Sequence, residues 1–254
     1  MRIIVITQDE PFYLAENFKY LLQIMPTHSK VVGCVVTKVS PFGKNESFIK
    51  KALKTFNIFG FSFFIHYSLK YLMSKFDKKK KIINILSENS IPKIELNGSI
   101  NSEKSIQTLK SYNPDILVSI LGNQIFKKQI INLAPKGCIN LHTAMLPKYR
   151  GLMPTFWVLK NNEKTTGVSV FFVDEGIDSG PIIIQKSIDI ESKTQSQLIK
   201  ITKKIGMELI AKSIDMIHNG NLQLIENPKN KSSYYSFPTR EDVLIFKRNN
   251  KKFF

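Results

Sequence analysis

Short apolar, β-branched runs alternate with amphipathic stretches along most of this chain, and that alternation constrains the fold more than any other feature. Residues 2–7 open the sequence with a strand pattern, and residues 11–25 follow as a helix with Phe12, Phe18, Leu21, Leu22 and Met25 on one face. Residues 30–37 form a β-branched strand, Ser40-Pro41-Phe42-Gly43 a polar turn, and a helical stretch runs on to about Phe56. A helix at 81–88 is separated by Pro92 from a weak strand at 93–96, and a helix follows at 102–112. Residues 115–120 are the near-continuous apolar run of a buried parallel strand, and a short helix at 126–133 ends at Pro135-Lys136-Gly137. This order predicts an α/β fold, a doubly wound and mostly parallel sheet with a short C-terminal extension. The 254 residues, 43% of them hydrophobic, suffice for one such domain over 1–220, with the extension at 221–254.

Two polar residues stand at the end of the next strand. In Cys138-Ile139-Asn140-Leu141-His142 the side chains alternate, so Asn140 and His142 face the same side. Leu146-Pro147 then breaks the chain into a loop, and residues 166–173 read as a following strand that delivers a loop at 174–180 carrying Asp178. An Asn can donate to a carbonyl oxygen, a His can move a proton near neutral pH, and an Asp can fix and charge that His. The three together are the makings of an acyl-transfer site, with Asn140, His142 and Asp178 as its catalytic residues.

These residues also carry a resemblance. Asn140-x-His142, Leu146-Pro147-x-Tyr149-Arg150-Gly151, Pro154-x-x-Trp157, Gly167 and Ile177-Asp178-x-Gly180-Pro181-Ile182 resemble the formyltransferases that use 10-formyltetrahydrofolate. The resemblance is dense over 113–190 and looser before it. It implies a Rossmann-type sheet, 10-formyltetrahydrofolate as formyl donor, and a pterin held between the loops at 121–126 and 174–178. Gln124, Ile125, Phe126, Asp174, Glu175, Gly176 and Ile177 are the cofactor-binding residues so implied. Arg150 and Gly151 read as structural, Gly for an unusual backbone angle and Arg as a loop anchor, while Lys148 is a candidate to face the acceptor.

The acceptor is narrowed by what the chain lacks. No Gly-x-Gly-x-x-Gly follows the first strand; the loop there is Gln8-Asp9-Glu10-Pro11, which offers no glycine-lined phosphate cradle. That weighs against a nicotinamide enzyme and against the purine-pathway members of the family. The tail after 220 is shorter than the C-terminal barrel of the methionyl-tRNA enzymes, and the chain starts directly in the catalytic pattern, unlike the deformylases. The leading expectation is therefore a small-molecule amine, a nucleotide-linked amino sugar, with Met-tRNA or water as alternatives. The non-enzymatic alternative is a folate- or nucleic-acid-binding protein, against which the intact triplet argues.

Lysine and arginine exceed the acidic residues by 17, which suits a polyanionic partner such as tRNA or a nucleotide, but a lysine-, asparagine- and isoleucine-rich composition accounts for it as well. The variable acceptor loops are expected at 8–13 and 39–46 and in the tail, where Tyr234, Tyr235 and Phe237 either stack on an acceptor or pin the tail to the core. The apolar stretch 56–73 is interrupted by His66 and Lys70, so no integral membrane span is expected; it reads as a helix packed on the sheet or as a homodimer contact. Cys34 and Cys138 sit in apolar runs as buried free thiols, which with the absence of a signal-peptide pattern suits the cytoplasm. His28, His66 and His218 have no partners at metal-ligand spacing, and no metal site is expected.

Overall fold

The computed structural model describes residues 1–39, 47–77, 80–122 and 124–254. The turn expected at 40–43, most of the loop at 39–46, and Lys78, Lys79 and Asn123 lie outside the described residues. The chain runs β1 (Arg2–Gln8), α1 (Leu14–Ile24), β2 (Lys30–Thr37), α2 (Phe48–Phe59), α3 (Phe61–Phe76), α4 (Ile82–Glu88), β3 (Lys93–Ile94), α5 (Glu103–Lys110), β4 (Ile116–Ser119), α6 (Lys128–Ile131) and β5 (Cys138–His142). It continues through β6 (Arg150–Gly151), α7 (Pro154–Lys160), β7 (Thr165–Phe172), β8 (Ile182–Asp189), α8 (Gln195–Asn219), β9 (Tyr234–Tyr235) and α9 (Arg240–Arg248).

Seven of these strands form one sheet in the order β3-β2-β1-β4-β5-β7-β8. The first five pair in parallel, as the β–α alternation predicts, while β7 runs antiparallel to β5 and β8 antiparallel to β7. Side-chain alternation divides the core between two faces. Ile3 and Val5 of β1 pack with Phe18 and Leu21 of α1 and with Ile210 and Ile214 of α8. Ile4 and Ile6 point the other way, onto Ile106 and Leu109 of α5 and Ile130 of α6. Helices on both faces leave no solvated side for a strand such as β4, all four of whose residues are buried.

The helix ends follow local chemistry. Thr194 caps α8 through a capping box with Gln197, and Gly220 closes it in the left-handed region. The helix expected from residue 11 begins only at Leu14, because Glu10 folds back as its cap. Its Oε1 accepts from the Phe12 amide (2.9 Å) and its Oε2 from those of Tyr13 (2.9 Å) and Leu14 (3.1 Å). Phe12 and Met25 thus fall outside the helix whose apolar face they were expected to share.

The apolar stretch 56–73 departs most from expectation. Gly60, at φ +85°, breaks it into the hairpin α2–α3, which packs against the C-terminal segment and not on the sheet. Phe59 lies among Phe63, Phe237 and Phe253, and Phe253 stacks on Phe246 of α9. The tail is tied down by its aromatics. Tyr235 stacks on Tyr149 and Trp157, and β9 pairs with β6. His28 also differs: its Nε2 lies 3.0 Å from Asp215, and its ring stacks on His218.

Candidate active site

β5 is held by buried Cys138, Ile139 and Leu141, and the alternation leaves Asn140 and His142 lining one large cleft. The His142 ring is buried, with Nε2 2.7 Å from the Tyr149 carbonyl oxygen. A carbonyl only accepts, so Nε2 carries the hydrogen, and Nδ1 is the ring nitrogen left for proton exchange. Nδ1 lies 3.5 Å from Asp178 Oδ2. The strand register explains the approach: β7 pairs with β5 from Phe172 opposite Ile139 to Ser169 opposite His142, and the loop after β7 folds back to bring Asp178 alongside the histidine.

That loop is rigidly built. Asp174 Oδ1 accepts from the Ser179 hydroxyl (2.5 Å) and the Gly176 amide (3.0 Å). Asp178 sits at φ +48°, and its Oδ2 accepts from the Gly151 amide at 2.8 Å. Asn227, in the tail, donates from Nδ2 to the carbonyls of Asp178 and Gly180, at 2.9 Å each. Buried Arg150 in turn donates to Asn227 Oδ1 (2.7 Å) and to its carbonyl (3.0 Å), the anchoring role expected of it. Gly151, at φ +95°, comes so close to β9 that a Cβ there would lie 2.3 Å from the Tyr235 carbonyl oxygen.

Among the described residues neither amide atom of Asn140 has a hydrogen-bond partner, and its Oδ1 is buried. A buried polar atom without a partner costs stability, about 1–3 kcal/mol, unless a ligand or water supplies one. In a cleft beside a histidine, such an amide is free for a substrate's oxygen or nitrogen.

The cleft has a volume of about 1820 Å³, well above the ~300–1,000 Å³ of most small-molecule sites and sufficient for two substrates at once. Gln124, Ile125, Phe126, Asp174, Gly176 and Ile177 line it; Glu175 does not. Ile125 and Ile177 are the apolar side chains exposed in it, whereas Phe126 is mostly spent on the core under α5 and α6. Gln124 uses Oε1 to accept from the Ile100 amide (3.3 Å), and Asn101 holds the same loop through the Ile125 carbonyl (2.8 Å) and the Lys127 amide (2.8 Å). Lys148 is exposed and outside the cleft.

The far wall carries groups that no motif marked. Along α8, Gln195, Ile199, Lys203 and Met207 face the cleft at successive four-residue steps. Lys203 Nζ is 4.0 Å from Glu10, and burial holds its ammonium below the usual lysine range while Glu10 opposes that shift. Lys70 does not itself line the cleft; its Nζ donates to the Tyr13 hydroxyl (2.9 Å) and sits over the rings of three residues that do, Phe12, Tyr13 and Tyr67, at 5.0, 4.2 and 5.5 Å. Among the described residues Lys70 makes no ion pair. Phe237 also lines this wall, but its edge packs on Phe59.

A model of a known family, described as formyl transferase, matches residues 73–214, more than half of the chain and all three of Asn140, His142 and Asp178. The chain belongs to the formyl transferase family. Among related formyl transferases, the methionyl-tRNA formyltransferase of Kosmotoga olearia is 35% identical over 153 residues, covering 60% of this chain and 49% of the relative. That of Thermodesulfovibrio yellowstonii is 40% identical over 122 residues, 48% of this chain and 40% of the relative. The chain thus spans about half the length of the curated relatives it matches. Solved formyl transferases share the fold. WlaRD, a sugar 3N-formyl transferase crystallised with dTDP and 5-N-formyl-THF, superposes at a TM-score of 0.59 with 21% identity, over 93% of this chain and 69% of that one. Glycinamide ribonucleotide transformylase 1 from Symbiobacterium toebii superposes at 0.62 with 16% identity, over 89% and 92%.

Proposed function

We propose that this formyl transferase moves a formyl group from 10-formyltetrahydrofolate to the amine of a nucleotide-linked amino sugar. The observation that carries the reading is the pairing of an unsatisfied Asn140 amide with His142 Nδ1, 3.5 Å from Asp178, on one wall of a cleft large enough for donor and acceptor together.

The acceptor amine adds to the formyl carbon, and negative charge gathers on the formyl oxygen. Asn140 Nδ2 and a hydrogen on His142 Nδ1 are the donors suited to that oxygen; one donor of this kind is typically worth about 2.7–4 kcal/mol in the transition state. Asp178 accepts the proton that the amine loses, directly or through a water, and the Gly151 amide keeps its carboxylate in place meanwhile. Collapse of the adduct returns the electron pair to the carbonyl and expels the folate nitrogen, which takes up the proton that Asp178 accepted. No covalent bond to the enzyme is needed. For the pterin, Ile125 and Ile177 supply apolar faces, and the backbone of the loops at 121–126 and 174–178 supplies hydrogen-bonding edges.

The opposite wall supports the acceptor assignment. Glu10 already fills the N-terminus of α1 with its own carboxylate, so a substrate phosphate cannot take that place. Lys75, Lys81 and Lys203 are among the lysines that line the cleft, and Phe12 and Tyr67 are rings in it suited to a nucleobase. The N-formyltransferase of Helicobacter canadensis, whose fold matches 95% of this chain, is described in complex with folinic acid and dTDP-3-aminofucose, a ligand pair that this cleft would suit.

Met-tRNA is the second reading, favoured by the curated relatives and by the net charge of +17. Mass spectrometry of formyl transfer separates the two. Purified protein is mixed with 10-formyltetrahydrofolate and, in turn, nucleotide-linked amino sugars, Met-tRNA, glycinamide ribonucleotide or buffer. One added formyl group on a sugar nucleotide is expected. A gain on Met-tRNA alone, or consumption of the donor in buffer, would replace the acceptor; no consumption with any amine would remove the enzymatic reading.

A further inference from the structure

Helix α3 is apolar on two sides, and only one of them is used. Phe63, Phe64 and Tyr67 line the cleft. Phe61, Ile65, Leu69, Met73 and Phe76 recur at steps of four, four, four and three residues, so they form one stripe along the helix, and they are 40–86% exposed. On α2, Ile49, Leu53 and Phe56 repeat the pattern at steps of four and three and are exposed as well. A surface helix ordinarily turns charges outward at such positions, and an exposed apolar stripe of this length marks an interaction face.

Charge says what that face meets. The hairpin, residues 48–76, contains five lysines and no acidic residue; Lys50 and Lys54 are exposed on α2, and Lys70 is turned onto Tyr13. A second copy of the chain is a poor fit: a two-fold contact sets the same patch against itself, so both lysine-rich segments would be brought together across an apolar seam. A nucleic acid would answer the lysines but leave the aromatic and aliphatic stripe without a partner. An anionic bilayer answers both, with acyl chains for the stripe and headgroup phosphates for the lysines. Among the described residues no helix is long and apolar enough to cross a membrane, so the hairpin would lie in the plane of the interface.

We propose that the α2–α3 hairpin docks this protein on an anionic membrane surface, with Phe61, Ile65, Leu69, Met73 and Phe76 set among the lipids and the exposed Lys50 and Lys54 of α2 at the headgroups. Because the opposite side of α3 lines the cleft, docking and substrate binding share one helix.

The test uses the full chain and unilamellar vesicles, of phosphatidylcholine alone or with one third phosphatidylglycerol, read by co-sedimentation. Partition onto the anionic vesicles is expected to be at least about tenfold stronger than onto the neutral ones, and to fall in high salt. Replacing the exposed Phe61, Leu69 and Phe76 together by serine should abolish partition while leaving the far-UV spectrum, the thermal midpoint and formyl transfer unchanged. Absence of the wild-type chain from the anionic pellet, or equal partition by the triple variant, would overturn the proposal. So would a dimeric mass in light scattering that the triple variant loses, which would assign the face to a second copy. None of these readouts depends on the identity of the formyl acceptor.

Discussion

His142 and Asp178 approach to 3.5 Å, and each is held by a different atom of one short segment: the imidazole Nε2 by the Tyr149 carbonyl, the carboxylate by the Gly151 amide. Residues 149–151 therefore act as a clamp on both groups. The clamp is itself held from outside, by β9 pairing with β6 and by the Ser233 hydroxyl accepting from the Tyr149 amide at 2.9 Å. The C-terminal tail thereby takes part in the geometry of the candidate active site.

Removing the imidazole tests the catalytic reading directly. His142→Ala is expected to lower kcat for formyl transfer by about 10²–10³-fold or more, the range for losing one positioned donor to a developing oxyanion. Folate binding, followed by fluorescence titration, should persist. Undiminished turnover would take His142 out of the mechanism.

Asp178 separates charge from structure. Asp178→Asn retains an oxygen that can accept from the Gly151 amide, so its thermal midpoint should stay near wild type while kcat falls by about 100-fold. Asp178→Ala leaves that amide unpaired and should in addition lose about 1–3 kcal/mol of stability. Wild-type turnover by Asp178→Asn would show that the carboxylate's charge has no part of its own.

Gly151→Ala places a methyl against the Tyr235 carbonyl at a backbone angle that disfavours any side chain. A loss of about 1–3 kcal/mol is expected, with activity falling alongside it as β6 and β9 separate. Gly98→Ala, at φ +102° with nothing within 4 Å, is the control, carrying the backbone strain without the clash. Equal melting curves for the two would place the whole effect in the backbone angle.

The far wall of the cleft predicts a split in kinetic constants. Lys203→Met should raise KM for the sugar nucleotide by about 10-fold or more, as expected for losing a charge-assisted contact, and leave KM for the formyl donor unchanged. Equal increases for both substrates would mean a general distortion of the cleft.

Burial pushes the Cys34 thiol up to about 12 and the Cys138 thiol further in the same direction. Unfolded thiols ionise near 8.5, so the folded chain keeps protons that the unfolded chain releases. This contribution is full below about pH 8.5 and is lost as the pH climbs toward 12. Urea midpoints should therefore drop between pH 8 and pH 10, and less so for a Cys34→Ala, Cys138→Ala double variant. Both thiols should resist iodoacetamide in the native protein and react in guanidinium.

Much of the fold was legible because its signals are local. The apolar run at 30–37 became β2 with those bounds. Asn140 and His142 could be placed on one side of a strand from the two-residue period alone. Less legible was the stretch 56–73, where apolarity implied burial but not what would do the burying; Gly60 and the aromatic tail decided that. The family resemblance implied Phe126 as a pterin contact, yet the core beneath α5 and α6 claims most of its surface.

The sequence by itself determined the alternating architecture and the identity of the polar triplet, since periodicity, capping and motif spacing are properties of neighbours along the chain. Only the tertiary structure decided that the loop after β7 folds back onto β5, that Tyr149 and Gly151 clamp the pair, that Asn227 braces them from the tail, and that Lys203 and Glu10 share one cleft with them. Those contacts join residues from 7 to well over 100 positions apart, as between His142 and Tyr149 or Lys203 and Glu10. They depend on strand direction and helix docking, which no local pattern encodes.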